Sequence, residues 1–547
     1  MKTYVEEKRI RPDILTALVY WSFIIMMFFG IISVRIFGDK GFGFSSGALA
    51  LYFVLYVSFV LAVQKSVYIM VRLRARRSQF LNAQINMSRS LKLFMAIGMI
   101  VALIMGFSSY AIARFLFGSV RIYILVIIAA VSLVFLAPQG VLRGYLQGLG
   151  YTRPIVLSDV LISAVSFGTG AVISGIMYSY GKKVNELFHG DEYSAVYGAS
   201  GMMIGMLIGS IAGCIQITIS MYLRKKEIAE VVKEGAPRYL DNKNDVITGI
   251  RSIVYLYASP ALMFLVDNVV YILCESRTGD AGDMIISVGA YFGRIIILSV
   301  LLALLCCIPF LKSWNRIMAR IERDELEGAR ERFRKNVHFM SMLIIPVTVF
   351  FFSMSEHIQV AVFEKSSAYI TGMFQMGAVL TVLFAISIFC SWLLNHMGKS
   401  LLLVINLTAA WALHVVILVV LEGGMGKGIW GILIAEILAF LLYDILCIFM
   451  IYRMLKMRYN LLHNIGLPLI SSALCGLVVF LAGRILVNVI GEVLTIVLLV
   501  IVYAVIYMVV LILLRGIRTH ELESVPLGRF LIPFSSTIQH DRYYEKE

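Results

Sequence analysis

Fourteen apolar stretches alternate with short polar segments along this chain. They lie at approximately 14–36, 46–71, 91–117, 121–142, 155–180, 194–222, 250–273, 285–311, 336–355, 368–394, 400–421, 428–452, 463–486 and 491–514. Most are close to the 20 or so residues that an α-helix needs to cross a bilayer. A helix satisfies its own backbone polar groups, which lipid cannot do. A membrane β-barrel would need short segments of alternating polarity, and the uncharged run from Ile14 to Val34 excludes that pattern. The pattern predicts an all-α polytopic membrane protein. The first stretch is too long for a cleaved signal and lacks a small-residue cleavage site, so it is expected to be a retained span.

Basic residues mark one side of the membrane. Arg72, Arg74, Arg76 and Arg77 follow the second stretch, Arg224, Lys225 and Lys226 follow the sixth, and eight basic residues lie between Lys312 and Lys335. With the N-terminus inside, about 36 Lys and Arg fall on the inner side and about 10 outside, the bias expected of cytoplasmic loops. Both termini are expected in the cytoplasm.

The segment 223–249, with Gly235, Pro237 and Asp241, is the longest internal polar stretch. It predicts a linker between two six-helix lobes, 1–222 and 250–455. Two further spans follow within 456–514, and 515–547 forms a cytoplasmic tail. Paired lobes with a site between them are a common transporter plan.

Composition narrows the chemistry. The chain is 60% hydrophobic and 15% charged, with a net charge of +15 and a mean hydropathy of +0.88. A soluble domain carries about 25% charged residues. The basic excess lies in short loops beside spans, which assigns it to orientation and anionic lipids rather than nucleic acid. The seven cysteines form no C-x-x-C pair, so no disulfide framework or metal site is expected. Nucleotide-binding, hydrolase and metalloprotease motifs are absent from the sequence, which argues against an enzyme or an ATP-driven pump and predicts no cofactor.

The informative residues are therefore the charges in or beside the spans, since an ionisable group at the bilayer centre costs roughly 2.5–3.5 kcal/mol on insertion scales. They are Arg35 at the end of the first span, Lys65 in the second, Asp267 in the seventh, Arg294 in the eighth, and Glu436 and Asp444 in the twelfth. Each also has a plain structural reading. Arg35 can snorkel to the interface, Asp267 can pair with Arg294 or Lys65, and Glu436 and Asp444 can serve packing. His414, in the eleventh span, fits a packed or hydrogen-bonded role better than a proton relay. Taken together, Arg35, Lys65 and Arg294 suggest a basic cavity for an anion, and the planar arginine fork suits phosphate.

These residues sit in motifs that resemble a known group. VRIFGDKGFG, from Val34 to Gly43, resembles the R-x-x-G-x-x-G-x-G that ends the first span of the multidrug/oligosaccharidyl-lipid/polysaccharide (MOP) flippase superfamily. Lys65-Ser66 and the basic run after it are similar to that family's second-span lysine motif. LRGYLQGLG, from Leu142 to Gly150, followed by Pro154 and Ser158, resembles its R-G-x-x-Q-G signature. GAYFGR, from Gly289 to Arg294, resembles its eighth-span stretch, and Asp267 matches an acidic seventh-span position. Within the superfamily the lipid II flippase and spore-cortex polysaccharide-export branch is the nearest in pattern, over roughly residues 10–455. The chain departs from that pattern at Ile162, Ser163 and Ser166, where Glu, Gln and Arg are common in the family.

The resemblance implies export of an undecaprenyl-pyrophosphate-linked sugar by alternating access. Arg35, Lys65 and Arg294 become pyrophosphate ligands and Asp267 a candidate ion-coupling residue. Its implied partner is the lipid-linked glycan; the basic loops add anionic lipids, and cell-wall synthesis enzymes are further candidate partners. Two other readings stay open: a cation-coupled multidrug antiporter, and a non-transporting membrane scaffold for cell-envelope synthesis.

Overall fold

The computed structural model describes residues 12–235, 262–275, 281–456, 462–524 and 528–539. Most of the expected linker, the beginning of the seventh span and much of the C-terminal tail lie outside these residues. Every regular element among the described residues is helical.

Helix α1 (Pro12–Tyr56) takes in the first predicted span and the start of the second. At 45 residues it would measure about 68 Å if straight, more than twice the roughly 30 Å hydrocarbon core. Gly38 divides it, with φ 72° and ψ 178°, a left-handed position that a side chain would strain. A π-helical segment (Val57–Ala62) then leads into α2 (Val63–Arg76), which ends on a basic turn. The chain continues through α3 (Phe80–Phe107), α4 (Ser109–Leu116), α5 (Tyr123–Leu149), α6 (Arg153–Phe188), α7 (Tyr193–Leu223) and the short α8 (Lys225–Glu234). Next come α9 (Leu262–Glu275), α10 (Ala281–Ala290), a π-helical segment (Tyr291–Ile296) and α11 (Ile297–Cys307).

Beyond these lie α12 (Leu311–Glu322), α13 (Leu326–Ser353), α14 (Ser355–Phe363), α15 (Ala368–Gly377) and α16 (Val379–His396). The last spanning elements are α17 (Ser400–Leu418), a π-helical segment (Val419–Gly424), α18 (Ile429–Leu455), α19 (Leu467–Ile490) and α20 (Glu492–Leu513). Among the described residues, twelve continuous helical stretches are long and apolar enough to cross a membrane, and α9 adds a shorter apolar helix. The first of them, Ile14–Arg76, holds two predicted spans joined at the Gly38 break. The chain is thus a polytopic all-α membrane protein.

Contacts gather the chain into two compact units. One comprises Met1–Leu301 and Lys399–Tyr443, the other Leu302–Gly398 and Asp444–Glu547. In the first unit, α6 and α7 pack through small residues. Gly201, Gly205 and Gly209 recur every four residues on α7 and meet Ser174, Gly170 and Ser166 on α6. Small residues allow the close backbone approach that drives helix association where lipid removes the hydrophobic incentive. In the second unit, α13, α19 and α20 share a core that includes Met342, Cys475, Val479, Leu499, Tyr503 and Tyr507. The Tyr507 hydroxyl donates to the Met342 carbonyl at 3.0 Å, giving its polar end a partner inside the core.

Candidate functional site

The glycine-rich end of the first span forms a close crossing with α10. A side chain at Gly43 would strike the Ile285 carbonyl, and one at Gly289 would strike the Asp39 carbonyl. These glycines are required by backbone contact, and the crossing fixes the position of Asp39, which directly follows the break at Gly38. Arg294 stands on the π-helical segment after α10. Its Nε donates to Asp39 Oδ1 at 2.6 Å and its Nη2 to Asp39 Oδ2 at 2.5 Å. The fork and carboxylate thus form a two-point pair between side chains only 4% and 12% exposed. Such a pair has the geometry that makes arginine–carboxylate recognition strong.

A second group of buried ionisable side chains lies in the same unit. His414 Nε2 on α17 stands 2.5 Å from Asp267 Oδ1 on α9. Tyr291 donates its hydroxyl to Glu436 Oε2 on α18 at 2.7 Å. Glu436 lies within electrostatic reach of both Asp267 and His414. Beside Asp267, Asn268 accepts a hydrogen bond from Ser46 on α1 at 2.7 Å. Two carboxylates, an imidazole and a phenol are thereby brought together from four elements. Buried charges persist when paired and hydrogen-bonded, and an imidazole between carboxylates can take up or release one proton and change the net charge of the group. Among the described residues, no set of three or more His, Cys, Asp or Glu side chains is arranged to hold a metal ion.

The R-G-x-x-Q-G segment contributes a third ion pair. Arg143, on α5 and 1% exposed, donates from Nη2 to Asp159 Oδ1 on α6 at 2.6 Å. The Tyr56 hydroxyl lies within electrostatic reach of the same guanidinium. Four residues further along α5, Gln147 accepts from Gln64 Nε2 at 2.9 Å, while Gly144 allows the α2 backbone to approach at Gln64.

Of the residues singled out in the sequence, Arg294 and Asp267 fall into separate buried pairs. Arg35 is exposed on α1, one helical turn before Asp39. Lys65 is half-buried on α2, its ammonium 6.0 Å from the Tyr68 ring centroid. Glu436 belongs to the Asp267 group. Asp444, in the other unit, accepts from the Ser387 hydroxyl at 2.6 Å. Sequence reasoning passed over Asp39, Asp159 and Tyr291. Asp39 stands inside the glycine motif, four residues after Arg35, which was the available signal. The pairing of Asp39 with a residue 255 positions away carried none.

No family model matches the chain, and no curated protein matches it. Solved structures do. A lipid II flippase, MurJ, in an inward-closed conformation aligns with a TM-score of 0.61 at 13% identity, covering 91% of this chain and 97% of that one. An inward-facing multidrug-resistance MATE transporter aligns with a TM-score of 0.58 at 14% identity, covering 80% and 99%. A MOP-superfamily transporter from Pyrococcus furiosus, described as having a binding pocket of reversed polarity, aligns with a TM-score of 0.53 at 15% identity, covering 82% and 98%. The fold is that of the MOP transporters. The flippase match takes in more of this chain than either of the other two. The buried pairs all lie on helices of one compact unit.

Proposed function

We propose that this protein is an exporter of the MOP type that carries an undecaprenyl-pyrophosphate-linked sugar across a bacterial cytoplasmic membrane, with both termini in the cytoplasm. The observation that carries the reading is the extent of the flippase likeness, 91% of the chain against 80% and 82% for the other two transporters. Two spanning helices, α19 and α20, follow the twelfth predicted span. Their outward residues, such as Leu477, Leu481, Ile485 and Val497, are apolar, which suits a prenyl tail lying along them.

In this reading the pyrophosphate is held by Arg294, Arg35 and Lys65. Arg294 already grips Asp39, so the headgroup enters by exchange. An incoming phosphate displaces the carboxylate from the same fork, and loss of the Asp39–Arg294 pair loosens the crossing of the first span on α10. Outward movement of an anion from an electrically negative cytoplasm is downhill by about 2.3 kcal/mol per charge per 100 mV. Asp267, with His414 and Glu436, is the ion-coupling group, and its exchangeable species is a proton.

Proteoliposomes with a labelled lipid-linked sugar test this. Wild-type protein accelerates appearance of the label in the opposite leaflet, and Arg294→Ala abolishes it; no acceleration by correctly folded wild type would overturn the proposal. A cation-coupled multidrug antiporter is the second reading, favoured by the two carboxylates beside His414. It predicts drug resistance in an efflux-deficient host.

A further inference from the structure

The hairpin of α12 and α13 has a charge distribution that the transport reading does not use. Helix α12 buries Leu311, Trp314, Ile317 and Met318 against its own unit and turns Lys312, Arg316 and Arg323 outward. A short turn, with Asp324 at φ 61°, leads into α13. Arg320 Nη1 donates to the Gly328 carbonyl at 2.7 Å across that turn. A side chain at Gly328 would press on this guanidinium, so the glycine preserves the seat of Arg320.

On the facing turn of α13, Arg332 is half-buried and lies within electrostatic reach of both Arg320 and Arg316. The Nε–H groups of Arg330 and Arg332 are buried and donate to no partner. Among the described residues, no carboxylate makes an ion pair with Arg316, Arg320 or Arg332. Glu331 is in electrostatic reach of Arg320 and Arg332, but Lys335 holds its carboxylate at 2.8 Å. Glu322, Asp324, Glu325 and Glu327 are exposed around the tip of the hairpin. Acid therefore predominates at the tip, around Arg323, and base on the flanks, around Glu331.

The expected span ends place the flanks near the lipid headgroups. Arg316 is five residues beyond Leu311, where the preceding apolar span is expected to end, and Arg332 is four residues before the next one at 336. At 1.5 Å per residue these offsets are about 6–8 Å, the thickness of one headgroup layer, since that layer accounts for about 5–8 Å on each face of the bilayer. Aromatic packing marks the same level. Trp314 lies 5.5 Å from Trp392 on α16, and Trp392 stacks on His396 at 4.1 Å. Tryptophans concentrate at the membrane interface.

We propose that Arg316, Arg320 and Arg332 form a binding site for the phosphate of an anionic glycerophospholipid in the leaflet on the basic-loop side. Three like charges, none ion-paired to a carboxylate among the described residues, are held together by the hairpin, and a phosphate adds counter-charge through oxygens that accept several guanidinium hydrogen bonds. The site is independent of the transported substrate.

Native mass spectrometry of the full chain in detergent, titrated with phosphatidylglycerol, phosphatidylcholine or inorganic phosphate, tests this. Phosphatidylglycerol should bind at least tenfold more tightly than phosphatidylcholine, and inorganic phosphate should not compete at equal concentration. Arg316→Gln with Arg332→Gln should weaken phosphatidylglycerol binding about tenfold or more, in line with about 1 kcal/mol per basic residue near an anionic surface. Arg316→Lys with Arg332→Lys should retain most of it. Arg323→Gln with Lys335→Gln, which removes the same charge from the hairpin, should change it less than threefold. Equal binding of both lipids, equal loss in the two Gln pairs, or full competition by inorganic phosphate would overturn the assignment.

Discussion

Two sets of arginines in this molecule meet opposite surroundings. In the first unit, Arg294 and Arg143 are buried and each is matched to a carboxylate, Asp39 or Asp159. In the second unit, Arg316, Arg320 and Arg332 lie near one another and none forms an ion pair with a carboxylate among the described residues. The difference follows from solvent. A guanidinium inside a helical bundle has no water or ions to draw on, so the fold supplies its counter-charge. At the interface, mobile ions and headgroups supply it. The buried arginines can bind an anion only by exchanging partners, whereas the interfacial ones are open to an anion without rearrangement.

The comparison breaks most readily at the Arg294–Asp39 pair. Removing one member strands the other, which costs about 3–5 kcal/mol for a buried pair. Asp39→Ala should therefore lower the melting temperature in detergent markedly, and Asp39→Ala with Arg294→Ala should recover much of the loss while transport stays absent. A double variant as unstable as the single one would show that the pair is not what holds the crossing.

Arg143→Gln should be milder, about 1–3 kcal/mol, because Asp159 is 18% exposed and can draw on water. Thermal melting beside the Asp39 variant gives the ranking. An opposite order would mean that the R-G-x-x-Q-G segment carries more of the fold than the glycine crossing.

The interfacial set should respond with the opposite sign. In lipid-free detergent, Arg316→Gln with Arg332→Gln should leave the melting temperature unchanged or raise it slightly, since it removes like charges held together. A large loss would show that these arginines are structural.

The smallest effect is expected at Asp191. Its exposed carboxylate sits 2.7 Å from Lys40, which holds it below the usual aspartate range. A depressed carboxylate adds stability above its unfolded value, near pH 4, and that contribution fades as pH falls through the folded one. Because the pair is exposed, Asp191→Asn should cost no more than about 0.5 kcal/mol at pH 7. Pulse proteolysis at pH 7 and pH 3.5 would reveal any larger difference.

The spans were legible in the sequence because lipid imposes a length and a polarity on every crossing helix. The Gly38 division was legible as a boundary between two spans, though not as a left-handed break inside one continuous helix. The charged residues that matter were also legible, because each is costly in a span. Their partners were not. Arg294 was read as one of three cations converging on an anion, and Asp39, within a motif already in view, was passed over as its counter-charge. A pair of Asp267 with Arg294 or Lys65 was one open reading, and its partner in the fold is His414. Side-chain pairing between helices far apart in sequence depends on helix rotation and crossing, which periodicity along one chain does not encode. The segment 312–335 was legible as a basic stretch, while the seating of Arg320 on the Gly328 carbonyl across the turn between α12 and α13 was not.

The most direct test of the central claim is native mass spectrometry of lipid co-purified with the wild-type protein from its membrane. The account predicts a retained polyprenyl-pyrophosphate-linked glycan, lost in Arg294→Ala and insensitive to Arg316→Gln. Failure of the wild type to retain or bind any polyprenyl pyrophosphate, even when it is added, would contradict it.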